Sequence, residues 1–166
     1  MTNSDATSSA VLSPCGLYRY RLHRCWDKQK PGIVFIMLNP SSADAQMDDP
    51  TIRRCIGFAS SWGFGSMEVV NLFAYRTKNP MELLAAKNAA GPQNADYLLE
   101  YAAGNNTIVC AWGNENVLRK LGSVNGKDFL PPAIRDKSLK IIKLSGKGIP
   151  CHPLYLRKTE QLKVWF

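Results

Sequence analysis

The stretch IVFIMLNPSSADAQMDDPT, residues 33–51, changes character half-way along. Residues 33–38 form an unbroken apolar run rich in Ile and Val, which suits a strand covered on both faces of a sheet. Asn39 and Pro40 end that run, and a polar loop carrying Asp44, Asp48 and Asp49 follows. Asp49 can cap a helix that has Pro50 at its first position. Ile52, Cys55, Ile56, Ala59 and Trp62 then recur at helical spacing until the glycines of WGFG stop the helix. A buried strand leading through a loop into a helix is the unit from which layered α/β domains are built.

The rest of the chain repeats that unit. GLYRYRLHRCW alternates, with Tyr18, Tyr20 and Leu22 expected on one face and Arg19, Arg21 and His23 on the other, so it reads as a half-buried strand. MEVVNLFAY is the next strand and leads through RTKNP into a short helix from Pro80. PQNADYLLEYAA reads as a helix, TIVCAW as a strand, NENVLRKLG as a helix stopped by Gly122, and SLKIIKLS as the last strand before GKGIPCHPLYLRK. The expected architecture is a three-layer α/β/α sandwich around a mostly parallel central sheet. Residues 1–14, small and polar, are expected to be a flexible segment, and residues 15–166 a single domain.

Composition narrows the partners. Against 13 acidic residues stand 21 Lys and Arg, a formal charge of +8, which favours an anionic partner such as nucleic acid. The five cysteines include no C-x-x-C pair, and the first residues lack the apolar core of a secretory signal, so a reduced, cytoplasmic setting is expected. Only Cys151 and His152 adjoin as metal-ligand types, and neither a metal nor another cofactor is expected. No apolar run is long enough to cross a bilayer.

In open α/β sheets, ligands bind beyond the carboxyl ends of the strands. Four such ends carry conspicuous polar side chains: Asn39, then Asn71 with Arg76, then Asn114, then His152. Each has a plainer use, as a turn former or a loop tie, but together they mark one edge of the sheet.

The segments that carry these residues resemble the motifs of the uracil-DNA glycosylase superfamily. MLNPS stands where that superfamily has G-x-N-P-G or G-Q-D-P-Y. VVNLFAYRTKNP resembles its T-N-V-V-K-C-R-P-P segment, IVCAWGN its strand ending in L-W-G or L-G-K, and CHPLYLRK its terminal H-P-S-P-L-S. Order and spacing agree over residues 33–158. The chain also looks like a small bacterial branch sharing Y-R-Y, N-P-S-x-A, D-x-T and N-L-F-A-x-R.

The resemblance implies a uracil-DNA-glycosylase-like fold and a monomeric enzyme acting on DNA. Such an enzyme draws one nucleotide out of the stack and breaks the bond between base and sugar through an oxocarbenium-like transition state. It implies that Asn39 positions the attacking water and His152 stabilises the departing base. Ser41, Ser42, Asn71, Tyr75 and Asn114 would surround the base. Arg76, Tyr155, Leu156, Arg157 and Lys158 would contact DNA, with Leu156 filling the hole left by the flipped nucleotide, Tyr155 able to share that role, and Arg53 or Arg54 adding to the basic face.

The departures from the pattern bear on substrate. Ser41, Ser42 and Ala43 replace a bulky tyrosine that would block position C5 of a pyrimidine. A small, hydroxyl-lined wall admits a C5 substituent, so the expected substrate is a hydroxymethylated or glucosylated cytosine of phage DNA, or uracil, and antiviral defence is a reasonable setting. The first motif also offers an amide where a carboxylate is common, which makes Asp48 or Asp49 a second candidate for activating water. Two other classes stay open: a module that binds a modified base without cleaving it, and a nucleotide hydrolase or transferase using Asp44, Asp48 and Asp49 on magnesium.

Overall fold

The computed structural model describes residues 6–165. Seven strands form one mixed sheet: β1 (Thr7–Leu12), β2 (Arg19–Cys25), β3 (Gly32–Met37), β4 (Ser66–Asn71), β5 (Thr107–Cys110), β6 (Lys140–Ile141) and β7 (Lys163–Val164), in the spatial order β1-β2-β4-β3-β5-β6-β7. The inner pairings β4–β3, β3–β5 and β5–β6 are parallel. The outer ones, β1–β2, β2–β4 and β6–β7, are antiparallel. The α/β class expected from sequence therefore holds, but the sheet is not mostly parallel: antiparallel strands extend the parallel centre on both sides.

The buried run of residues 33–38 does become the central strand. Its register aligns Val69, Phe35 and Val109 across the sheet, with Val70, Ile36 and Cys110 in the next row. The first row packs on helix α1 (Pro50–Ser61) through Ile52, Cys55, Phe58 and Ala59. The second packs with Leu98, Val117, Leu118 and Ile134 from α2 (Asn94–Leu99), α3 (Glu115–Lys120) and α4 (Pro132–Arg135). A strand with successive side chains in two separate cores must be apolar at every position, which is why its sequence shows no alternation. No helix among the described residues is long and apolar enough to cross a membrane.

Two boundaries differ from expectation. Residues 7–12, expected to be flexible, form β1, because they pair antiparallel with β2, with Ser8, Ser9 and Ala10 facing Arg24, His23 and Leu22. An edge strand with one exposed face needs no strong apolar pattern, so its sequence looked featureless; residues 1–5 lie outside the described residues. The strand expected in SLKIIKLS joins the sheet only at Lys140–Ile141 among the described residues, Leu144 bridging Pro150 apart from it, and is not the last, since β7 follows it.

Inside β2 the register shifts: Val11 pairs with Arg21, but Leu12 pairs with Arg19, which leaves Tyr20 as an extra residue. Such a bulge resets which face the preceding side chain occupies. Tyr20 stacks on Tyr97 of α2, and Arg21 reaches Glu100 just beyond it, on the same side of the sheet. Arg19 turns to the other side, the side of α1, where its guanidinium meets the carbonyl of Ala43. The simple alternation read from GLYRYRLHRCW fails at this point.

Candidate active site

The carboxyl ends of β3, β4 and β5 and the segment after β6 open onto one cavity of about 590 Å³, lined by Asn39, Ser41, Asp49, Asn71, Asn114, His152, Tyr155 and Leu156 among others. Four sequence-distant segments thus meet where the strand-end argument places a ligand.

Asn39 follows β3 and is fixed by its own amide nitrogen, which donates to the carbonyls of Pro40 and Thr77, both at 2.9 Å. Two carbonyl partners set the amide orientation, so Oδ1 is the atom left to accept a hydrogen bond from a ligand or water. Asn71 ends β4 and is 1% exposed, and neither amide atom has a hydrogen-bonding partner among the described residues. A buried unpaired amide costs about 1–3 kcal/mol, a cost that a bound group with matching donor and acceptor removes.

Asp49 caps α1: Oδ1 accepts from the backbone N–H of Ile52 at 2.9 Å, and the carboxylate lies on the cavity wall. The other two loop carboxylates are engaged differently. Asp48 is ion-paired with Arg24 at 2.8 Å, and Asp44 closes an Asx turn by accepting from the N–H groups of Gln46 and Met47, both at 2.9 Å. No cluster of three or more His, Cys, Asp or Glu side chains able to hold a metal ion occurs among the described residues, and of the three loop carboxylates only Asp49 lines the cavity.

His152 stands on the wall contributed by the segment after β6. Its Nδ1 accepts from the N–H of Leu154 at 3.2 Å, so the neutral ring carries its proton on Nε2. Burial lowers the imidazole pKa, and the charge of Asp49 opposes that shift. Gly113 makes the position possible: it sits at φ +61°, and a Cβ there would lie 3.0 Å from the Cβ of His152. Asn114 is also left-handed, at φ 56° and ψ 56°, a conformation that Asn tolerates better than most residues. The turn after β5 is thus shaped to bring Asn114 and His152 to the same cavity.

Residues 19–154 match the family described as protein of unknown function, DUF1643. The chain belongs to that family. No curated protein and no solved structure matches it.

Within this DUF1643 domain, not every expected site residue reaches the cavity. Ser42 is exposed and does not line it, whereas Ser41 does. Tyr75 turns away: its backbone bridges Tyr18, and the two rings pack edge-on at 6.2 Å. Arg76 borders a shallow neighbouring pocket with Ser41 and Lys78 and donates to the carbonyl of Gly16 at 3.3 Å. Arg157 and Lys158 are exposed. Arg53 is exposed and donates to Asp48 O at 2.9 Å, Arg54 donates to the carbonyls of Pro153 and Leu156, and together with Lys158 they line a separate pocket on α1. Tyr155 is 85% exposed, while Leu156 is half-buried against the α1 core, so Tyr155 is the side chain that projects from the rim.

Arg19, Lys78 and Glu115 also line the cavity of the DUF1643 domain and were not singled out by sequence. Lys78 and Glu115 are ordinary charged residues next to a turn and a helix start, with no signal of their own. Arg19 was hidden by the bulge at Tyr20, which a period-2 reading cannot detect.

Proposed function

We propose that this protein is a DNA glycosylase that hydrolyses the N-glycosidic bond of a pyrimidine flipped out of DNA, on a fold of the uracil-DNA glycosylase kind. One observation carries the reading: Asn71, buried with both amide atoms unpartnered, lines the same cavity as Asn39, Asp49 and His152. An amide with one free donor and one free acceptor matches the hydrogen-bonding edge of a base. The volume, about 590 Å³, falls within the range of small-molecule sites, roughly 300–1,000 Å³, and leaves room beside the ring for a C5 substituent next to Ser41.

The groups fit the chemistry in sequence. The Oδ1 atom of Asn39 and the Asp49 carboxylate orient a water toward the sugar C1′. Water oxygen bonds to C1′ as the C1′–N bond breaks, and the electron pair leaves with the base. The water's proton passes to Asp49, and the Nε2–H of His152 donates to an oxygen of the departing base. A neutral imidazole donor suits this role, because it stabilises developing negative charge without first having to acquire a proton. Tyr155, projecting from the rim, suits the wedge that fills the vacated stack, while Arg157, Lys158 and Lys78 meet phosphates. A cytoplasmic protein of this kind would act on the cell's own DNA or on phage DNA.

The test is to incubate the protein with duplexes containing uracil, mismatches, 5-hydroxymethylcytosine or glucosylated 5-hydroxymethylcytosine, and then to cleave abasic sites with alkali. Strand cleavage on at least one modified duplex, strongly slowed with Asn39→Ala, is the expected result. Tight base-dependent binding with no abasic sites would assign the protein to the non-cleaving class. No selectivity for any base would end both readings.

A further inference from the structure

Arg19 is 2% exposed, yet it has no ion-pair partner and makes one side-chain hydrogen bond among the described residues, from Nη1 to the carbonyl of Ala43 at 2.8 Å. Its Nε–H is buried without a partner, and the side chain lines the main cavity together with Asn71. An isolated buried guanidinium is costly, because its hydration is lost and nothing replaces it. The bulge at Tyr20 is what puts it there: regular pairing along β2 would turn Arg19 toward α2 and its acidic neighbours. A structural brace would not need this, since one N–H suffices for Ala43.

We infer that Arg19 binds the negatively charged oxygen of a departing pyrimidine anion, at the inner wall of the cavity beside Asn71. The inference rests on the glycosylase reading above and names a catalytic group within it. When the C1′–N bond breaks, its electron pair stays on the ring and the charge spreads onto the exocyclic carbonyl oxygens. A guanidinium has only donors, so an oxygen bearing negative charge satisfies it and an amino group does not. Asp49 lies close enough to act electrostatically on Arg19 and on His152, but forms no ion pair with either among the described residues. It remains available to the water while Arg19 and His152 share the base. Burial lowers the Arg19 pKa to about 10, with Asp49 opposing, which still leaves a cation at neutral pH.

The experiment measures binding of free bases by calorimetry, apart from any cleavage of DNA. The probes are 5-nitrouracil, whose acidic ring N–H makes it an anion at neutral pH, and neutral uracil and thymine. The wild-type protein should prefer the anion by about tenfold or more, the gain expected of one charge-assisted hydrogen bond in a dry site. Arg19→Gln should reduce that preference to near unity, and Arg19→Lys should retain part of it. Equal affinities in the wild type, no measurable binding of 5-nitrouracil, or a preference that survives Arg19→Gln would each overturn the inference. If Arg19→Gln does not fold, Arg19→Met takes its place; failure of both to fold makes Arg19 structural and also overturns it. Anion preference without abasic-site formation sinks the excision reading alone, while excision without anion preference sinks this inference alone.

Discussion

Arg19 and Arg24 lie on the same strand, both reach toward the loop of residues 39–49, and both are buried, yet their surroundings are opposite. Arg24 donates to the Asp48 carboxylate and to the carbonyls of Ser9, His23, Asp44 and Met47. The Arg19 side chain donates to Ala43 alone among the described residues. One guanidinium is surrounded by acceptors that the fold supplies, and the other faces a cavity. Folding stability and ligand chemistry have been divided between two residues of one type, and the unsatisfied one marks the site.

The largest expected effect tests the braced half. Arg24→Met should destabilise the protein by about 3 kcal/mol, because Asp48 loses its partner and two loop carbonyls lose a donor. Arg19→Met should change stability by about 1 kcal/mol or less in either direction, since it removes one hydrogen bond and also an unpaired buried charge. Urea unfolding of the two variants checks this. Equal losses would erase the distinction between brace and site.

Asn39→Ala sharpens the other half. Its side chain ties Pro40 to Thr77 and presents Oδ1 to the cavity, so base release should fall by about a hundredfold, the usual loss for one positioned group acting at the transition state. Binding to the same duplex should stay within a few-fold, because phosphate contacts come from other residues. Single-turnover kinetics and binding isotherms separate the two. If Asn39→Ala keeps full activity while a folded Asp49→Ala loses it, the carboxylate alone drives the water.

Acid should expose His152. Burial holds its folded pKa below the ordinary value of 6.5. Between those two values the unfolded chain takes up a proton that the folded one refuses, so stability should fall as pH drops below about 6.5 and be fully present above it. Protonation would also set a ring N–H against the N–H of Leu154. His152→Ala should flatten that part of the stability profile, measured by unfolding at a series of pH values from 7.5 to about 5. An unchanged slope would mean that the ring is more exposed than its position implies.

The sequence made some of this legible and hid the rest for identifiable reasons. The unbroken apolar run at 33–38 announced a strand buried on both faces, and Asp49-Pro50 announced α1 with its cap. Asn39, Asn71, Asn114 and His152 could be gathered because strand ends in such sheets share an edge. Arg19 could not, because a one-residue bulge inverts the phase of a strand without leaving a compositional mark. Tyr75 was misplaced for a related reason: beyond Asn71 the chain leaves the sheet edge, and Tyr75 pairs with Ala89 and Tyr18 instead of facing the cavity. Which of three loop aspartates stays available was equally invisible, since it depends on the Arg24 side chain of β2 reaching Asp48 in the loop.

The smallest expected effect concerns the rim, where Tyr155 and Leu156 adjoin but differ as the two arginines do. Leu156 packs on the α1 core and its carbonyl accepts from Arg54, so Leu156→Ala should cost about 1–2 kcal/mol of stability through lost packing. Tyr155 buries little, touching the His152 ring at a centroid distance of 6.1 Å, and Tyr155→Ala should leave stability unchanged. Its effect should appear on duplex DNA only. Filling the gap left by a flipped nucleotide offsets unstacking, an expense that single strands avoid, so excision from duplex should slow several-fold while single-stranded substrates are processed as before. Comparing the duplex-to-single-strand rate ratio of Tyr155→Ala with that of Leu156→Ala assigns the wedge. A ratio that shifts only in Leu156→Ala would return the role to the leucine, and would require that it leave the α1 core when DNA binds.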